Sequence, residues 1–486
     1  MTTTQQQTIK FFLNNQEIEA TTSPELTALK LITEQLELTG TKESCSEGDC
    51  GACTIALGQW NGNQFQYHAI NSCILPAVKL HGTHVITVEG LEQDNRLHLI
   101  QQMMLENHAT QCGFCTPGII MSLFCLLLEN ANPTQEEVFA ALEGNLCRCT
   151  GYKTIFEATH ATIQFLNKDA SKIRSLMLLP YMDIIKQNLK KINPIISETL
   201  NSIEPLMTEN YFIPKTLSEL FSILNKLKGN CKILAGGTDL IVEANVQKKL
   251  QKNIIDISKI ETLNFIQEKN NAVIIGANVT LTQLLKSKII NKTLPILVET
   301  ISRMGSTQIR NIATLVGNIA NASPVADGAC ALLALNTSLI LESNNYQREV
   351  TIEKFFKDYK KTELKNSEII SKIIIPIPKG VCSFEKTSRR IAVDISAVCS
   401  TVNIQIQQGI IEHCRIAFGG VHQFPALAKK AAQALIGNSL SDALIEKVSL
   451  IAQQEFNPIT DVRGSEQYRK TLIKNHLIKH LSNLMK

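Results

Sequence analysis

Eight of the fourteen cysteines fall into two sets of four, Cys45, Cys50, Cys53 and Cys73, then Cys112, Cys115, Cys147 and Cys149. The first set, a C-x4-C-x2-C run with a distant fourth cysteine, has the plant-type [2Fe-2S] spacing, in which two irons each take two thiolates. A loop carrying three of the four must wrap closely around inorganic sulfide. Gly48 and Gly51 lie inside that loop and let the backbone bend so that N–H groups approach sulfur. The second set pairs a C-x2-C with a C-x-C about thirty residues later and is less specific on spacing alone. The competing reading of both sets is zinc in a closed tetrahedral site of four thiolates that serves folding. Cys125 sits inside an apolar helical run and reads as a small hydrophobe, not a ligand.

The elements that must position these thiols are legible around them. Leu97 to His108, Gly118 to Asn130, Thr134 to Glu143 and Lys153 to Leu166 have helical spacing, and Thr134 with Glu137 fits a capping box. The second set therefore lies at helix ends, with Gly113, Gly118, Gly144 and Gly151 close by. Four such helices suffice for a small bundle holding a cluster at its tip.

The 486 residues suggest about three units on a soft prior of ~150 residues each. A composition of 44% hydrophobic and 19% charged residues is globular, and a net charge of +4 points to neither a nucleic acid nor a membrane surface as partner. Met1 to Gln7 has no basic flank or apolar core of a secretory signal. The longest largely apolar run, Gly118 to Leu128, falls well short of the ~20 residues of a membrane span. A cytoplasmic location is expected, where thiols stay reduced and metal binding is the leading use of cysteine.

Four segments resemble the iron–sulfur region of the xanthine dehydrogenase/molybdenum hydroxylase family: Glu47-Gly48-Asp49-Cys50-Gly51-Ala52-Cys53-Thr54, Asn71-Ser72-Cys73, Gln111-Cys112-Gly113-Phe114-Cys115-Thr116-Pro117-Gly118 and Cys147-Arg148-Cys149-Thr150-Gly151-Tyr152. The resemblance implies a β-grasp ferredoxin domain over 1–85 and a four-helix [2Fe-2S] domain over 86–166, each holding one cluster. It further implies that Cys45 and Cys50 ligate one iron of the first cluster and Cys53 and Cys73 the other. The loops at Gln111 and Cys149 would approach a molybdopterin held by a partner.

Residues 167–206 carry no motif and read as a linker. Met182 to Ile196 has helix-like apolar spacing with Lys186, Lys190 and Lys191 on its polar side, and is expected to pack one face on its own domains. From Lys215 onward short β-rich runs (Cys231 to Leu234, Val273 to Gly276, Ile369 to Ile377) alternate with helical stretches, giving an α+β region. Ile233-Leu234-Ala235-Gly236-Gly237-Thr238-Asp239-Leu240 reads as a strand entering a glycine turn, where successive N–H groups can converge on a pyrophosphate or simply form a tight turn. No G-x-G-x-x-G follows a strand, so a Rossmann site is not indicated.

The run just quoted, Gly276 to Leu281, and the small-residue stretch Arg310 to Asp327 resemble the FAD-binding domain of the same family. The resemblance implies that Ile233, Leu234, Ala235, Gly236, Gly237, Thr238, Asp239 and Leu240, with Thr314, Leu315, Val316, Gly317 and Asn318, hold the FAD phosphates. Asp327 would bond toward the ribityl or ring side. Relatives often show two glycines where this chain has Val316-Gly317-Asn318, and Met304 stands where some place an aromatic against the flavin; a methionine there reads as core. Lys386-Thr387-Ser388-Arg389-Arg390 with Asp394-Ile395-Ser396 resembles the opening of the C-terminal flavoprotein subdomain, with Lys386 as an FAD contact. The expected architecture is thus α+β multidomain, with an α+β FAD-binding domain over 207–380 and a C-terminal α+β flavoprotein subdomain over 381–486.

What this implies is an electron-relaying subunit with two [2Fe-2S] clusters and FAD, in a hetero-oligomer with a molybdenum-binding large subunit. Its partner would oxidise hypoxanthine and xanthine to urate, with NAD as electron acceptor. Aldehyde, nicotinate and carbon monoxide enzymes use similar modules, and a zinc-stabilised scaffold without redox activity is the reading from another class.

Overall fold

The computed structural model describes residues 7–23, 26–61, 64–168, 176–189, 211–247 and 253–485. The described chain clusters into two compact units, one made of residues up to 213 with 230–256 and 305–312, the other of 214–229, 257–304 and 313 onward.

The first unit opens with two hairpins. Strands β1 (Gln7–Leu13) and β2 (Gln16–Thr22) pair antiparallel, as do β3 (Thr54–Asn61) and β4 (Gln64–Asn71). Strand β5 (His84–Ile86) lies between them, parallel to β1 and antiparallel to β3, giving the order β2-β1-β5-β3-β4. The short helix α1 (Ala28–Lys30) runs on as a π-helical turn through Gln35, and buries Ala28, Leu29, Leu31 and Ile32. This is the β-grasp arrangement. Alternation along β1 sends Ile9, Phe11 and Leu13 into one core, which also takes in Cys53 and Cys73.

Helices α2 (Leu99–Glu106), α3 (Thr116–Glu129), α4 (Gln135–Leu142) and α5 (Lys153–Lys168) follow. The Thr134–Glu137 capping box forms as the spacing predicts: Thr134 N donates to Glu137 Oε2 at 2.7 Å and Glu137 N to Thr134 Oγ1 at 3.2 Å. Cys125 is buried within α3, as expected for a small hydrophobe. A helical stretch over 182–189 buries Met182, Ile185 and Leu189 in the core of this bundle, so this part of the expected linker does pack one face on its own domain. The rest of the proposed Met182–Ile196 helix, from residue 190, lies outside the described residues.

The first unit is completed by a small parallel sheet, β6 (Tyr211–Phe212), β8 (Ile254–Asp256) and β7 (Lys232–Leu234) in that order, with helix α6 (Leu240–Gln247) following β7. These elements cluster with the iron–sulfur region. Side chains pin residues 305–312 to the same unit. Thr307 Oγ1 donates to Ala140 O at 2.6 Å, Arg310 Nη2 to Glu143 Oε1 at 2.6 Å and Asn311 Nδ2 to Ala69 O at 2.9 Å.

The second unit holds two antiparallel sheets. One orders β12 (Gln347–Thr351), β11 (Ser338–Glu342), β15 (Ile369–Pro376), β10 (Ala272–Gly276) and β9 (Ile266–Lys269), and a minor hairpin joins β13 (Phe356–Asp358) to β14 (Lys361–Thr362). The other orders β16 (Val381–Thr387), β17 (Val398–Gln407), β18 (Ile410–Gly419) and β19 (Ala426–Leu427). Helices α7 (Leu315–Asn321) and α8 (Asp327–Ala334) precede β11, and the long α9 (Glu466–Leu484) packs Ile473, Leu477 and Leu481 against the second sheet's core. Among the described residues no helix is long and apolar enough to cross a membrane.

Candidate functional site

The first thiol set assembles as its spacing requires. Gly48 and Gly51 have φ of 80° and 68°, a left-handed turn that residues with a Cβ rarely take. The loop they shape aims Glu47 N and Asp49 N at Cys45 Sγ, at 3.4 and 3.3 Å. Cys73 arrives from the turn after β4, and its thiol lies within hydrogen-bonding reach of Cys45 and Cys53, while Cys50 meets Cys45. Hydrogen bonds from the neighbouring thiols hold Cys45 and Cys53 below the ordinary thiol range. The same neighbours, then burial, push Cys50 and Cys73 above it. Four sulfurs brought within reach of one another, with backbone N–H groups aimed at Cys45, fit a binuclear iron–sulfur cluster.

The second set sits at helix ends. Cys115 is the residue before α3, Cys112 lies in the preceding turn, and Cys147 and Cys149 lie in the loop between α4 and α5. Cys149 Sγ and Cys112 Sγ are 3.6 Å apart, and Cys147 lies within hydrogen-bonding reach of Cys115. Gly113 and Gly151 supply positive φ beside each pair. Burial, then the Cys147 neighbour, pushes the Cys115 thiol up to about 12. Cys112 and Cys149 are exposed.

The two cysteine-bearing loops are packed directly on each other. Leu146 N donates to Cys50 O at 2.9 Å, joining the residue before Cys147 to Cys50 itself. A Cβ on Gly118 would stand 2.2 Å from Gly51 O, and one on Gly51 would stand 2.3 Å from Gly144 O. Glycine at these positions is therefore what lets the backbones touch. A buried polar hub lies beside them: Asn145 Nδ2 donates to Gly51 O at 3.1 Å, while Asn145 Oδ1 accepts from Ser122 Oγ at 2.7 Å and Gln308 Nε2 at 3.0 Å.

Sequence reasoning missed Asn145, Ser122 and Gln308. Nothing near Gln308 could have marked it, since its partners are more than 160 residues away along the chain.

Of the flavin residues expected from the sequence, Ile233 to Leu240 fall in the first unit and Thr314 to Asn318, Asp327 and Lys386 in the second. In the first, β7 ends at Leu234 and the chain turns through Ala235–Asp239, with Gly237 at φ 82°, before α6. This is the strand entering a glycine turn that the sequence predicts. Lys79 Nζ donates to Ala235 O at 2.9 Å and pairs with the buried Asp256 at 3.2 Å, fixing the start of the turn.

In the second unit Thr314 caps α7, its hydroxyl accepting from Gly317 N at 3.0 Å, and a Cβ on Gly317 would stand 2.9 Å from that hydroxyl. Asn318 Oδ1 is buried without a hydrogen-bond partner among the described residues. Such an acceptor, in a segment of small residues, suits a ligand rich in hydroxyl donors, as the ribityl and ribose of FAD are. Lys386 and Asp327, expected as separate contacts, meet: Lys386 Nζ lies 2.8 Å from Asp327 Oδ2 and also donates to Arg303 O at 2.9 Å. Asp327 Oδ1 accepts from Ser396 Oγ at 2.6 Å. Met304 is buried, with its Cε 3.5 Å from where a Cβ of Gly328 would be, so it packs as a core methionine.

Residues 87–160 match the family described as "[2Fe-2S] binding domain", 205–378 the "FAD binding domain in molybdopterin dehydrogenase", and 383–484 the "CO dehydrogenase flavoprotein C-terminal domain". Xanthine dehydrogenase of Emericella nidulans is 30% identical over 96% of this chain, and aldehyde oxidase 1 of Macaca fascicularis 28% identical over 96%. The chain spans only 38% and 39% of the length of these two relatives. A chain of carbon monoxide dehydrogenase from Hydrogenophaga pseudoflava is 28% identical with a TM-score of 0.54, over 56% of this chain and 96% of that one. Taken with the two thiol sets and the flavin segments, these similarities show that the chain belongs to the molybdenum hydroxylase family and carries its iron–sulfur and FAD-binding domains.

Proposed function

We propose that this chain is the iron–sulfur and FAD subunit of a cytoplasmic xanthine dehydrogenase, relaying electrons from a molybdenum centre on a partner subunit to FAD and then to NAD. The observation that carries the relay is the direct seam between the two thiol sets, in which one 2.9 Å hydrogen bond links the Cys50 carbonyl to the amide preceding Cys147. Cys45, Cys50, Cys53 and Cys73 would hold one cluster and Cys112, Cys115, Cys147 and Cys149 the other. The segments Ile233–Leu240 and Thr314–Asn318, with Asp327 and Lys386, would hold FAD. Bound there, the clusters would supply single-electron transfer and the flavin the step between one-electron and two-electron chemistry.

The chain's own residues do the positioning. Buried Cys53 and Cys73 anchor the first set in the ferredoxin core, away from water. The exposed Cys112 and Cys149 put the second set at the surface, where a partner's cofactor could approach. Lys386 and Asp327 neutralise each other beside the proposed flavin segment, so neither presents an uncompensated charge to it.

Protein purified without oxygen is expected to show a cluster- and flavin-type visible spectrum, with about four irons and one FAD per chain. A colourless, zinc-containing protein would overturn the proposal. NADH oxidation with an artificial acceptor tests the acceptor separately. The second reading is the same relay serving another molybdenum hydroxylase, favoured by the likeness to aldehyde oxidase and carbon monoxide dehydrogenase. The substrate oxidised by a co-purifying molybdenum subunit decides between them.

A further inference from the structure

Helix α6 emerges from the glycine turn proposed to take FAD phosphate, and Asn245 near its C-terminal end reaches the first thiol set. Its Nδ2 donates to Ser46 O at 2.8 Å and to Cys73 O at 3.0 Å. One amide therefore clasps the two separate chain segments that deliver cluster ligands, the Cys45 loop and the Cys73 turn. Ile241, one turn earlier on the same helix, is buried in the core that contains Cys53 and Cys73, which holds α6 against them.

The Ser46 contact has an electronic side. Ser46 O and Glu47 N belong to one peptide group, and Glu47 N donates to Cys45 Sγ at 3.4 Å. A donor on the carbonyl of a peptide polarises it and strengthens the hydrogen bond that its N–H makes, the cooperativity of a hydrogen-bonded chain. The chain here runs from Asn245 Nδ2 through the Ser46–Glu47 peptide to the Cys45 sulfur. Ser46 itself has φ of 56°, a conformation costly for a residue with a side chain, and the Asn245 contact helps to hold it there.

We infer that Asn245 is a positioning residue for the first iron–sulfur cluster, tuning its reduction potential through the Ser46–Glu47 peptide and tying the cluster loop to the flavin-binding helix. The inference rests on the cluster assignment proposed above. Hydrogen bonds to cluster sulfur stabilise the more negative, reduced form and raise the potential. Losing the Asn245 donor weakens the bond from Glu47 N and lowers it.

The experiment is a redox titration, followed by electron paramagnetic resonance, of the full chain with its clusters loaded, comparing wild type with Asn245→Ala and Asn245→Gln. The Ala variant is expected to reduce its first cluster less readily, by roughly threefold to tenfold in the reduced-to-oxidised ratio at fixed potential, tenfold being ~59 mV for a one-electron couple. The second cluster's titration should not move, and Gln, which keeps the donor, should restore most of the shift. A first-cluster potential in Asn245→Ala that stays put or rises, or a matching shift of both clusters, overturns the inference. Should the Ala variant take up no iron, the Gln variant decides: loading with wild-type potentials supports the role of the donor, and failure to load or a shifted potential overturns it. Absence of both cluster signals from the wild type would instead sink the cluster assignment, and this inference with it.

Discussion

The side-chain amide of Asn145 donates to the Gly51 carbonyl at 3.1 Å, tying the loop that carries Cys147 and Cys149 to the loop that carries Cys50 and Cys53. Asn145 and Gln308 are 2% and 0% exposed, so the polar atoms of this hub have no access to water. Asn145→Ala removes the acceptor for Ser122 Oγ and Gln308 Nε2 and the donor to Gly51 O. Gly51 O keeps Thr54 N and Thr54 Oγ1, and Gln308 Nε2 keeps Ser122 Oγ, so the stranded donors are the Ser122 hydroxyl and one amide hydrogen of Gln308; at roughly 1 to 3 kcal/mol each, a loss of about 2 to 4 kcal/mol of stability is expected. Chemical denaturation measures it. Electron exchange between the clusters, followed by rapid freezing, should slow in the same variant because the seam loses its side-chain tie and keeps only the Leu146 N–Cys50 O bond and the glycine contacts.

Gly118 tests the seam from the other side. An added Cβ would stand 2.2 Å from the backbone oxygen of Gly51, which has no rotamer by which to yield. Gly118→Ala should therefore displace the start of α3 from the first cluster loop and destabilise by about 3 kcal/mol or more, despite alanine being the better helix former. Gly437 is the comparison. It has φ of 82° with nothing within 4 Å of an added Cβ, so Gly437→Ala should cost only the backbone strain, about 1 to 2 kcal/mol. Equal losses in the two variants would show that the seam is looser than these distances require.

How much of this was legible in the sequence depended on how local the determinant is. The cysteine sets, the glycines that bend their loops, the capping box at Thr134 and the turn after Leu234 each depend on residues a few positions apart, and each could be read directly. Asn145, Asn245 and Gln308 act across 94, 199 and 163 positions respectively. Their types are ordinary for polar loops and helices, and only the folded chain shows that they are buried or bridging. The same holds for Lys386 and Asp327, each foreseen as a flavin contact. Their pairing with each other depends on β16 and α8 meeting, which no spacing encodes.

That pair gives the third prediction. The side chains of Lys386 and Asp327 are 5% and 8% exposed. Removing one partner leaves the other charge buried and uncompensated, which typically costs about 3 to 5 kcal/mol. Ser396, still donating to Asp327, offsets part of this in Lys386→Met. Thermal unfolding should show that loss, with FAD content falling in parallel. The double variant Lys386→Met, Asp327→Leu should recover most of the stability but not the flavin. Recovery of both would mean that the pair serves packing alone.

A last prediction concerns acid. His476 and His480 project from α9 toward the sheet and join a chain of hydrogen bonds. Ser383 Oγ meets His480 Nδ1 at 2.5 Å, and Ser400 Oγ lies between His480 Nε2 at 2.8 Å and His476 Nδ1 at 2.9 Å. Thr387 Oγ1 closes the chain at His476 Nε2, 2.8 Å away. Burial pushes the pKa of His476 down to about 4 and that of His480 to about 3; Lys479 adds to the effect at both rings, and His476 adds to it at His480. Glu385, facing His476, acts in the opposite direction. Both rings are therefore neutral in the fold, whereas unfolded histidine takes up a proton near pH 6.5. Between about pH 6.5 and 4 the unfolded chain binds more protons than the folded one, so the stability contributed by the neutral pair is complete above that window and is lost as pH falls through it. The loss should reach roughly 3 kcal/mol per ring at the acid end. Denaturation of the full chain at pH 7 and pH 5 should show about 2 kcal/mol of it per ring, and His480→Gln, which keeps a hydrogen-bonding side chain but cannot titrate, should shrink the difference by about half. An unchanged difference in that variant would assign the acid sensitivity to other groups.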